Sequence, residues 1–474
     1  PFITLPLVVT KDPHTGEQNL GMYRGQVFGP TEVGLHWQIH KHGADHADEY
    51  GDGRMPVAIC IGGPPELVFS AIAPLPDNLE EYMFAGFLGR RRLAVIKAVS
   101  QDLLVPAEAD IVIEGYTIPG KTRSEGPFGD HFGYYSLEGE FPVLQVTAIT
   151  MRKDAILPAT IVGIPPMEDG YLGEAVGDAF LPVLQFQHRD VVDVFLPLET
   201  GFHNLLIAAS KQRYPRQARK TALGLLGAGQ MMFLKTVVAV DADHPVKDLD
   251  AFLDALDSKV DPATDFVILP GMVADQLAHA APWENIHDKL LIDATTAAEK
   301  DPLFGRKMSL GPGDELLSEV TALPLIRQAR MLRPSILIVT TEIEGGPQAD
   351  CDMEDTDEAA AAAQRSKIFQ LKESIWQLEN SSNLRWLFIT DDEFDINESG
   401  SRRRLLWQLF CRFEVSRDLH FDENRARIAW DATAPIPNME GEYPTRRWPA
   451  TTIHDPEVEA RIESMAVEEG WPWV

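Results

Sequence analysis

The chain has 474 residues, of which 45% are hydrophobic, so it is long enough to bury the cores of two or three globular domains. Lys and Arg number 42 against 72 Asp and Glu, which gives a formal net charge of −30. This charge repels phosphate backbones and anionic bilayers, and it excludes a protein built to bind nucleic acid.

Short β-like runs dominate the chain from Pro1 to about Ile164. Examples are F-P-V-L-Q-V-T-A-I-T and A-D-I-V-I-E-G-Y. Such runs, broken by Gly, Pro and Asp turns, predict an antiparallel barrel or sandwich. The chain starts in a run of this kind without a Met, and we expect its N-terminus to be truncated. Apolar residues at helical spacing predict one inserted helix from Asn78 to Leu88.

Helical segments alternate with apolar strands after about Pro182. The strand-like segments include V-V-D-V-F-L-P-L, M-F-L-K-T-V-V-A-V-D and D-F-V-I-L-P. This alternation predicts an α/β domain with a largely parallel sheet. The acidic stretch from Gly345 to Glu358 is typical of a solvated linker or a helix start. A strand at W-L-F-I-T-D and a helix containing L-L-W-Q-L-F-C-R-F are predicted beyond it.

Cysteine content and hydropathy indicate the compartment. Cys60, Cys351 and Cys411 show no C-x-x-C spacing, so neither a disulfide framework nor a zinc site is predicted. No apolar run approaches the roughly 18 residues that span a bilayer, and no signal segment opens the chain. We therefore expect a cytoplasmic protein without stable membrane insertion.

Candidate ligands for a metal occur in three places. The first is Asn19, which follows a turn in V-V-T-K-D-P-H-T-G-E-Q-N-L-G-M-Y-R. Arg24 lies in the same segment, and a plain hairpin with an exposed Arg is the simpler interpretation of it. Four histidines follow within eleven residues: His36, His40, His42 and His46. Neutral imidazole binds metals, although several of the four are expected to be structural.

The predicted helix adds carboxylates at Glu80 and Glu81, for which a solvated helix surface is the default explanation. One of these, one imidazole and the Asn19 amide oxygen would suit Mn²⁺ or Mg²⁺ better than structural Zn²⁺. Spacing alone does not choose among the candidates.

Two acids flank a turn in T-R-S-E-G-P-F-G-D-H-F-G-Y-Y. The Gly-Pro-Phe-Gly turn can bring Glu125 and Asp130 together beside an aromatic wall, which would raise the pKa of one acid through desolvation and like-charge repulsion. Such an acid can donate a proton near neutral pH. An arginine between the two would hold one acid ionised and bind a substrate carboxylate. The alternative is a loop with two solvated acids.

Taken together and in order, these segments resemble the UbiD family of decarboxylases, which use prenylated FMN. The match rests on D-P-H-T-G-E-Q-N-L-G-M-Y-R, H-W-Q-I-H-K-H-G, P-L-P-D-N-L-E-E-Y-M-F-A-G, V-P-A-E-A-D-I-V-I-E-G, E-G-P-F-G-D-H-F-G-Y-Y and G-I-P-P-M-E-D-G-Y-L-G. It is strong from Pro1 to about residue 240 and weaker beyond.

The resemblance implies an α+β and α/β fold, a flavin-reductase-like split β-barrel followed by an α/β domain. The barrel would carry the cofactor at residues 1–180, the α/β domain would support dimerisation at 181–380, and residues 381–474 would form a C-terminal extension. The family's upstream N-terminal domain would be absent or cut short.

The resemblance also implies a metal and cofactor site. Asn19, His40 and Glu81 match the positions that hold a divalent metal, usually Mn²⁺, which anchors the cofactor phosphate. His40 is preferred because it follows the W-Q-x position, and Glu81 is preferred by the same alignment. Asn19, Met22, Arg24 and His40 are the implied cofactor-binding residues. The implied cofactors are prenylated FMN, Mn²⁺ or another divalent cation, and K⁺ as a further candidate ion.

Arg24, Glu125 and Asp130 match the family's catalytic residues, and Asp130 replaces a Glu present in some members. Arg24 would orient the substrate carboxylate, Asp130 would hold Arg24, and Glu125 would protonate the carbon after CO₂ leaves. A carbanion on an sp² carbon has no stabilisation from side chains, so the prenylated flavin would be the electron sink.

The implied function is reversible, non-oxidative decarboxylation of an aromatic or α,β-unsaturated acid. The long C-terminal region resembles the menaquinone-biosynthesis branch, which implies a dihydroxynaphthoate substrate. Aromatic residues around the acid pair are candidates for its slot or for the core: Phe128, Phe132, Tyr134 and Tyr135. Prenylated 4-hydroxybenzoate, a small phenolic acid, a non-catalytic flavin-binding scaffold and a metal-dependent hydrolase are the alternatives. A flavin prenyltransferase would supply the cofactor, and a homodimer or higher homo-oligomer is expected.

Overall fold

The computed structural model describes residues 1–38, 41–76, 79–296, 314–343, 357–391, 395–398, 400–439 and 443–471. The chain divides into two compact units. The first comprises Pro1–Phe128 and Ser136–Ile161, and the second comprises Gly129–Tyr135 and Val162–Val474. The short segment Gly129–Tyr135 therefore belongs to the second unit, although its neighbours on both sides in the sequence belong to the first.

The first unit is built on antiparallel strand pairs. Its strands are β1 (Phe2–Ile3), β2 (Leu7–Lys11), β3 (Gln18–Met22), β4 (Gly25–Gly29), β5 (Glu32–Leu35), β6 (Met55–Ile61), β7 (Val95–Lys97), β8 (Leu104–Pro106), β9 (Ile111–Glu125) and β10 (Gly139–Met151). Strands β7 and β8 pair separately, and the other eight form one sheet in the order β1-β4-β5-β10-β9-β6-β2-β3. The predicted antiparallel character of this region is confirmed.

Alternation along the central strands explains this sheet. Val8 packs with Val57 and Ile59 in one apolar cluster, whereas Leu7 packs with Cys60 in another. Successive side chains of a strand point to opposite faces, so runs that are apolar at every position place side chains on both faces of the sheet.

Three helices accompany the sheet: α1 (His42–Glu49), α2 (Pro65–Ser70) and α3 (Glu81–Leu88). Helix α3 is the one predicted from residue 78, but it begins at Glu81 with Glu80 at its N-cap, and Asn78 lies outside the described residues. Only Ala85 of this helix is fully buried, whereas Phe87 is 76% exposed. Its apolar spacing therefore does not correspond to a buried face in the isolated chain.

The second unit contains two five-stranded sheets. Their strands are β11 (Val191–Phe195), β12 (Leu205–Ser210), β13 (Thr236–Asp241), β14 (Phe266–Val273), β15 (Ile286–Ala294), β16 (Gln328–Arg333), β17 (Ile336–Thr341), β18 (Trp386–Asp391), β19 (Leu419–Phe421) and β20 (Ile428–Asp431). The orders are β11-β12-β13-β15-β14 and β16-β17-β18-β20-β19.

Each sheet has three parallel strands in the middle and an antiparallel strand at either edge. The prediction of a largely parallel sheet is therefore wrong in this respect, and both sheets are mixed. The physical reason is the short connections, such as the turn between β16 and β17, because a parallel crossover needs a dozen or more residues.

Eight helices of the second unit are described: α4 (Glu168–Gln187), α5 (Gln217–Leu225), α6 (Leu249–Lys259), α7 (Asp314–Thr321), α8 (Glu358–Trp376), α9 (Ser401–Cys411), α10 (Val415–Asp418) and α11 (Pro456–Glu469). The predicted boundary after residue 180 falls inside α4. The predicted strand W-L-F-I-T-D is β18. The predicted helix containing L-L-W-Q-L-F-C-R-F is α9, which ends at Cys411, so Arg412 and Phe413 follow it. Residues 345–356 lie outside the described ranges. No helix in the described parts of the chain could span a membrane.

Candidate active site

Arg24 lies just beyond the end of strand β3, in the segment N-L-G-M-Y-R. Position 21 favours glycine, because a Cβ there would lie 2.4 Å from the Tyr23 hydroxyl oxygen. Burial raises the pKa of Tyr23 to about 12, so its hydroxyl stays protonated at neutral pH. The Gly43 amide donates to this hydroxyl at 3.4 Å. The buried tyrosine thus fixes the backbone from which Arg24 projects.

Arg24 forms a two-point ion pair with Glu125, the last residue of β9. Nε donates to Glu125 Oε1 and Nη2 to Oε2, both at 2.8 Å. Nη2 also donates to the Ser136 hydroxyl at 2.9 Å. The Glu125 side chain is fully buried and that of Arg24 is 11% exposed. The two residues that the sequence placed in one catalytic group are therefore in direct contact within the first unit.

His36 is a third member of this group, and the sequence did not predict its role. It directly follows β5, and its Nδ1 lies 2.9 Å from Glu125 Oε2. Its ring stacks on Phe141 with centroids 3.9 Å apart. The sequence groups His36 with three other histidines as a possible metal ligand, but in the structure it contacts the carboxylate that Arg24 holds.

The environment of Glu125 sets its ionisation. Burial raises the pKa of the carboxyl, but the hydrogen bonds from His36 and Arg24 and their charges outweigh burial and lower the pKa to about 2. One of the two acids was expected to have a pKa raised toward neutral pH, and Glu125 does not meet that expectation in this state. The physical reason is that the carboxylate has cationic partners at hydrogen-bond distance, which favour its charged form.

The contribution of Glu125 to stability should depend on pH. Because its folded pKa is about 2 against an ordinary value of 4.5, the contribution is complete above the ordinary value and is lost as the pH falls toward 2. Urea unfolding should show that the difference in free energy of unfolding between wild type and Glu125→Gln shrinks by about 3 kcal/mol from about pH 6 to about pH 2. A difference that does not change with pH would contradict the lowered pKa.

Asp130 belongs to the second unit. It is 3% exposed, its Oδ2 lies 2.7 Å from His279 Nε2, and its Oδ1 accepts from the Phe132 amide at 2.8 Å. Both carboxylate oxygens therefore have partners inside that unit. Asp130 is therefore buried, and the alternative interpretation of a solvated loop acid does not hold for it.

Two of the predicted metal ligands lie near each other in the first unit. Asn19, on β3, is buried, and Glu81 Oε2 accepts from the amide of the next residue, Leu20, at 3.1 Å. His42 Nδ1 lies 3.2 Å from Asn19 Oδ1. His40 lies outside the described residues, so His42 is the histidine that the structure places beside Asn19.

These residues fit a divalent cation. Among the described residues, Asn19 Nδ2 is a buried atom without a hydrogen-bond partner. The oxygen and nitrogen of an amide exchange places when it flips, so this unpaired position can present the oxygen to a cation. An amide oxygen, a carboxylate and an imidazole are ligands that Mn²⁺ accepts.

The remaining predicted residues have different environments. Met22, at the end of β3, is partly buried against an apolar cluster of the first unit. Phe128 lies beside Arg24, whose guanidinium carbon is 5.2 Å from the ring centroid. Phe132 and Tyr134 are 2% and 0% exposed in the core of the second unit, so packing accounts for both of them. Tyr135 is partly buried.

Two family models match consecutive parts of the chain. The 3-octaprenyl-4-hydroxybenzoate carboxy-lyase Rift-related domain matches residues 1–165, and the C-terminal domain of the same enzyme matches residues 170–294. Together they account for more than half of the sequence. The chain belongs to the UbiD family.

Known proteins resemble this UbiD chain over about two thirds of its length. An uncharacterized protein of Archaeoglobus fulgidus is 50% identical over 297 residues, which are 62% of each chain. An uncharacterized protein of Aquifex aeolicus is 45% identical over 299 residues, 62% of this chain and 61% of the other. The match thus spans less than two thirds of either relative.

Solved structures carry the same fold. The vanillic acid decarboxylase of Sedimentibacter hydroxybenzoicus, in its closed form, has a TM-score of 0.60 at 29% identity, covering 67% of this chain and 69% of its own. The UbiD-class enzyme HmfF of Pelotomaculum thermopropionicum, in complex with FMN, has a TM-score of 0.57 at 25% identity, covering 66% and 70%. The UbiD resemblance inferred from the motifs is confirmed, while the menaquinone branch stays a prediction.

Proposed function

We propose that this chain is a carboxy-lyase that removes CO₂ from an aromatic or α,β-unsaturated carboxylic acid with prenylated FMN as its cofactor. The observation that carries the proposal is the buried Arg24 and Glu125 pair, which combines a carboxylate-binding cation with a group able to carry a proton. Family membership and the likeness to a vanillic acid decarboxylase support it.

Arg24 would bind the substrate. Its planar guanidinium recognises carboxylates in two-point geometry, as its contact with Glu125 illustrates. A substrate carboxylate would share this cation with Glu125. A second negative charge at the same arginine weakens the hold on Glu125 and raises the pKa of its carboxyl. Substrate binding would therefore prepare Glu125 to take up the proton that it later delivers.

Glu125 would deliver that proton to the carbon from which CO₂ departs. A protonated His36 ring, whose Nδ1 lies 2.9 Å from Glu125 Oε2, would pass a proton to this carboxylate and become neutral. Prenylated FMN, when bound, supplies the electron sink that the side chains lack. The role of Asp130 in holding Arg24 stays a prediction from the resemblance, as do the split-barrel assignment and the homo-oligomer.

The Asn19, Glu81 and His40 or His42 side chains would hold Mn²⁺ or another divalent cation. A cation there would neutralise the cofactor phosphate, which a chain of net charge −30 otherwise repels. K⁺ remains a further candidate ion.

Glu81→Ala should lose both metal and flavin during purification, because it removes the only charged oxygen ligand in the proposed set. Glu80→Ala is the matched control, since Glu80 is the exposed neighbour at the N-cap of the same helix, and it should retain both. Mass spectrometry measures the metal content, and absorbance measures the bound flavin. Stoichiometric flavin in Glu81→Ala after chelation would show that the ligand set is wrong.

The substrate we propose is a bicyclic dihydroxynaphthoate, with prenylated 4-hydroxybenzoate or a small phenolic acid as the alternative. Phe128, which packs beside Arg24, offers an apolar surface for an aromatic ring. A ring hydroxyl would feed electron density to the carbon that Glu125 protonates.

The experiment is to co-express the chain with a flavin prenyltransferase, record the absorption and mass spectra of the bound flavin, and assay CO₂ release from each acid. Release only from monocyclic acids would overturn the dihydroxynaphthoate assignment. Bound prenylated flavin without turnover of any acid would favour the non-catalytic scaffold and overturn the enzyme proposal.

A further inference from the structure

A cluster of two imidazoles and one carboxylate lies in the second unit, apart from the residues considered above for metal binding. Candidate ligand atoms of His131, His203 and Asp275 all lie within 4.8 Å of one another. Asp275 Oδ2 is the common neighbour, 2.7 Å from His203 Nδ1 and 3.5 Å from His131 Nε2. The three side chains are 3% to 22% exposed.

The local backbone holds these side chains in place. Asp275 follows β14, and its Oδ1 accepts from the Leu277 amide at 2.9 Å, which turns Oδ2 toward the two rings. His203 follows Gly201 and Phe202, which have φ angles of +62° and +54°. A positive φ is rare for a phenylalanine and costs on the order of 1–3 kcal/mol. The chain therefore accepts strain immediately before His203.

His131 carries the most informative atom of the cluster. Among the described residues, its Nε2 is buried without a hydrogen-bond partner, and its 3.5 Å separation from Asp275 Oδ2 is too long for a good hydrogen bond. Its ring lies between aromatic neighbours, 4.4 Å from Phe132 and 5.9 Å from Phe202 by centroid distance. Packing therefore orients the ring, and Nε2 faces the space beside the Asp275 carboxylate.

We propose that His131, His203 and Asp275 bind a divalent first-row transition-metal ion. Two imidazole nitrogens and one carboxylate oxygen are a ligand set that such ions use, with at least one position left for water. The ligands come from three separate parts of the second unit, so the ion would fasten the Gly129–Tyr135 segment to β12 and to the end of β14. This site goes beyond the proposed function and does not depend on it.

The competing arrangement is a carboxylate hydrogen-bonded by two histidines, with a proton in place of the ion. The 474-residue chain, after treatment with a chelator, should be titrated with Zn²⁺ by calorimetry, and with Co²⁺ while visible absorption is recorded. We expect this cluster to bind one Zn²⁺ equivalent in addition to any ion at the Asn19 and Glu81 site, with Co²⁺ bands typical of nitrogen and oxygen ligands. Added Zn²⁺ should also raise the melting temperature, because the ion binds only the folded site.

Variants decide which residues bind the ion. Asp275→Asn and His203→Gln should each weaken Zn²⁺ binding by more than about 100-fold, since even outer partners of metal ligands are worth about 10- to 100-fold. Glu81→Ala should lose only the ion of the separate Asn19 site and keep the equivalent bound by the cluster. His279→Gln should also keep that equivalent, because neither residue belongs to the cluster. His131→Gln provides a second measurement if another variant misfolds, which circular dichroism would reveal. Equal affinity in all of these proteins, or no bound Zn²⁺ in wild type, would overturn the proposal.

Discussion

Glu125→Gln is expected to lower the rate of decarboxylation by roughly 10² to 10⁴, the range lost with a general acid, while prenylated FMN stays bound. Glutamine keeps the shape of the side chain and can accept hydrogen bonds from Arg24 and His36, but it cannot carry the proton. Single-turnover assays with the holo-enzyme would measure the protonation step, and flavin absorbance would report cofactor content.

Glu138→Gln is the matched control for this experiment. Glu138 is an exposed glutamate shortly after Glu125 in the sequence, and its carboxylate accepts from the Ser124 hydroxyl at 3.2 Å. Turnover of that variant should stay close to wild type. Turnover of Glu125→Gln close to wild type would remove Glu125 from the role of proton donor, and the activity would then require another acid.

Arg24→Met should abolish detectable decarboxylation and lower the free energy of unfolding by about 3–5 kcal/mol, the usual cost of breaking a buried ion pair by removing one partner. Glu125 would remain fully buried with the charge that Arg24 no longer balances. Arg24→Lys keeps the charge but not the two-point geometry, so it should recover part of the stability and little of the activity.

Arg123→Met is the control for stability, because Arg123 lies on the same strand as Glu125 and its ion pair with Glu32 is 48% exposed on the arginine side. Its loss should cost no more than about 1 kcal/mol. The double variant Arg24→Met with Glu125→Gln should regain stability relative to Arg24→Met, since no buried charge is left. If urea unfolding gave equal values for Arg24→Met and Arg123→Met, the buried pair would not contribute as proposed.

The short β-like runs of the sequence were enough to predict the antiparallel first unit, whereas the family resemblance placed Arg24 and Glu125 in one catalytic group. Strand β6 is apolar at every position and β2 at its first three, which is a local signal. The Arg24 and Glu125 contact joins residues 101 positions apart, and it was accessible only because the family resemblance placed both in one site.

His36 could not be assigned from the sequence for the opposite reason. Its contact with Glu125 depends on the register by which β5 and β9 both pair with β10, and no local pattern encodes that register. The same missing partner explains the wrong pKa expectation, because an acid that looks desolvated in sequence is ionised when a histidine and an arginine both reach it. The antiparallel edge strands of the two sheets were not predicted, because the sequence of an edge strand has the same apolar pattern as that of an inner strand.

The segment Gly129–Tyr135 also has a consequence for the order in which the protein is made. The Thr452 hydroxyl donates to the Gly133 carbonyl at 2.9 Å across a separation of 319 residues, and Tyr134 packs against Trp448 with ring centroids 5.2 Å apart. At about 5–20 residues per second, a ribosome needs roughly 15 to 60 s to supply these partners. During that interval Tyr134 lacks part of its core. A chain released before residue 448 would still contain Arg24 and Glu125, but the segment that carries Asp130 and His131 would lack its contacts with Trp448 and Thr452.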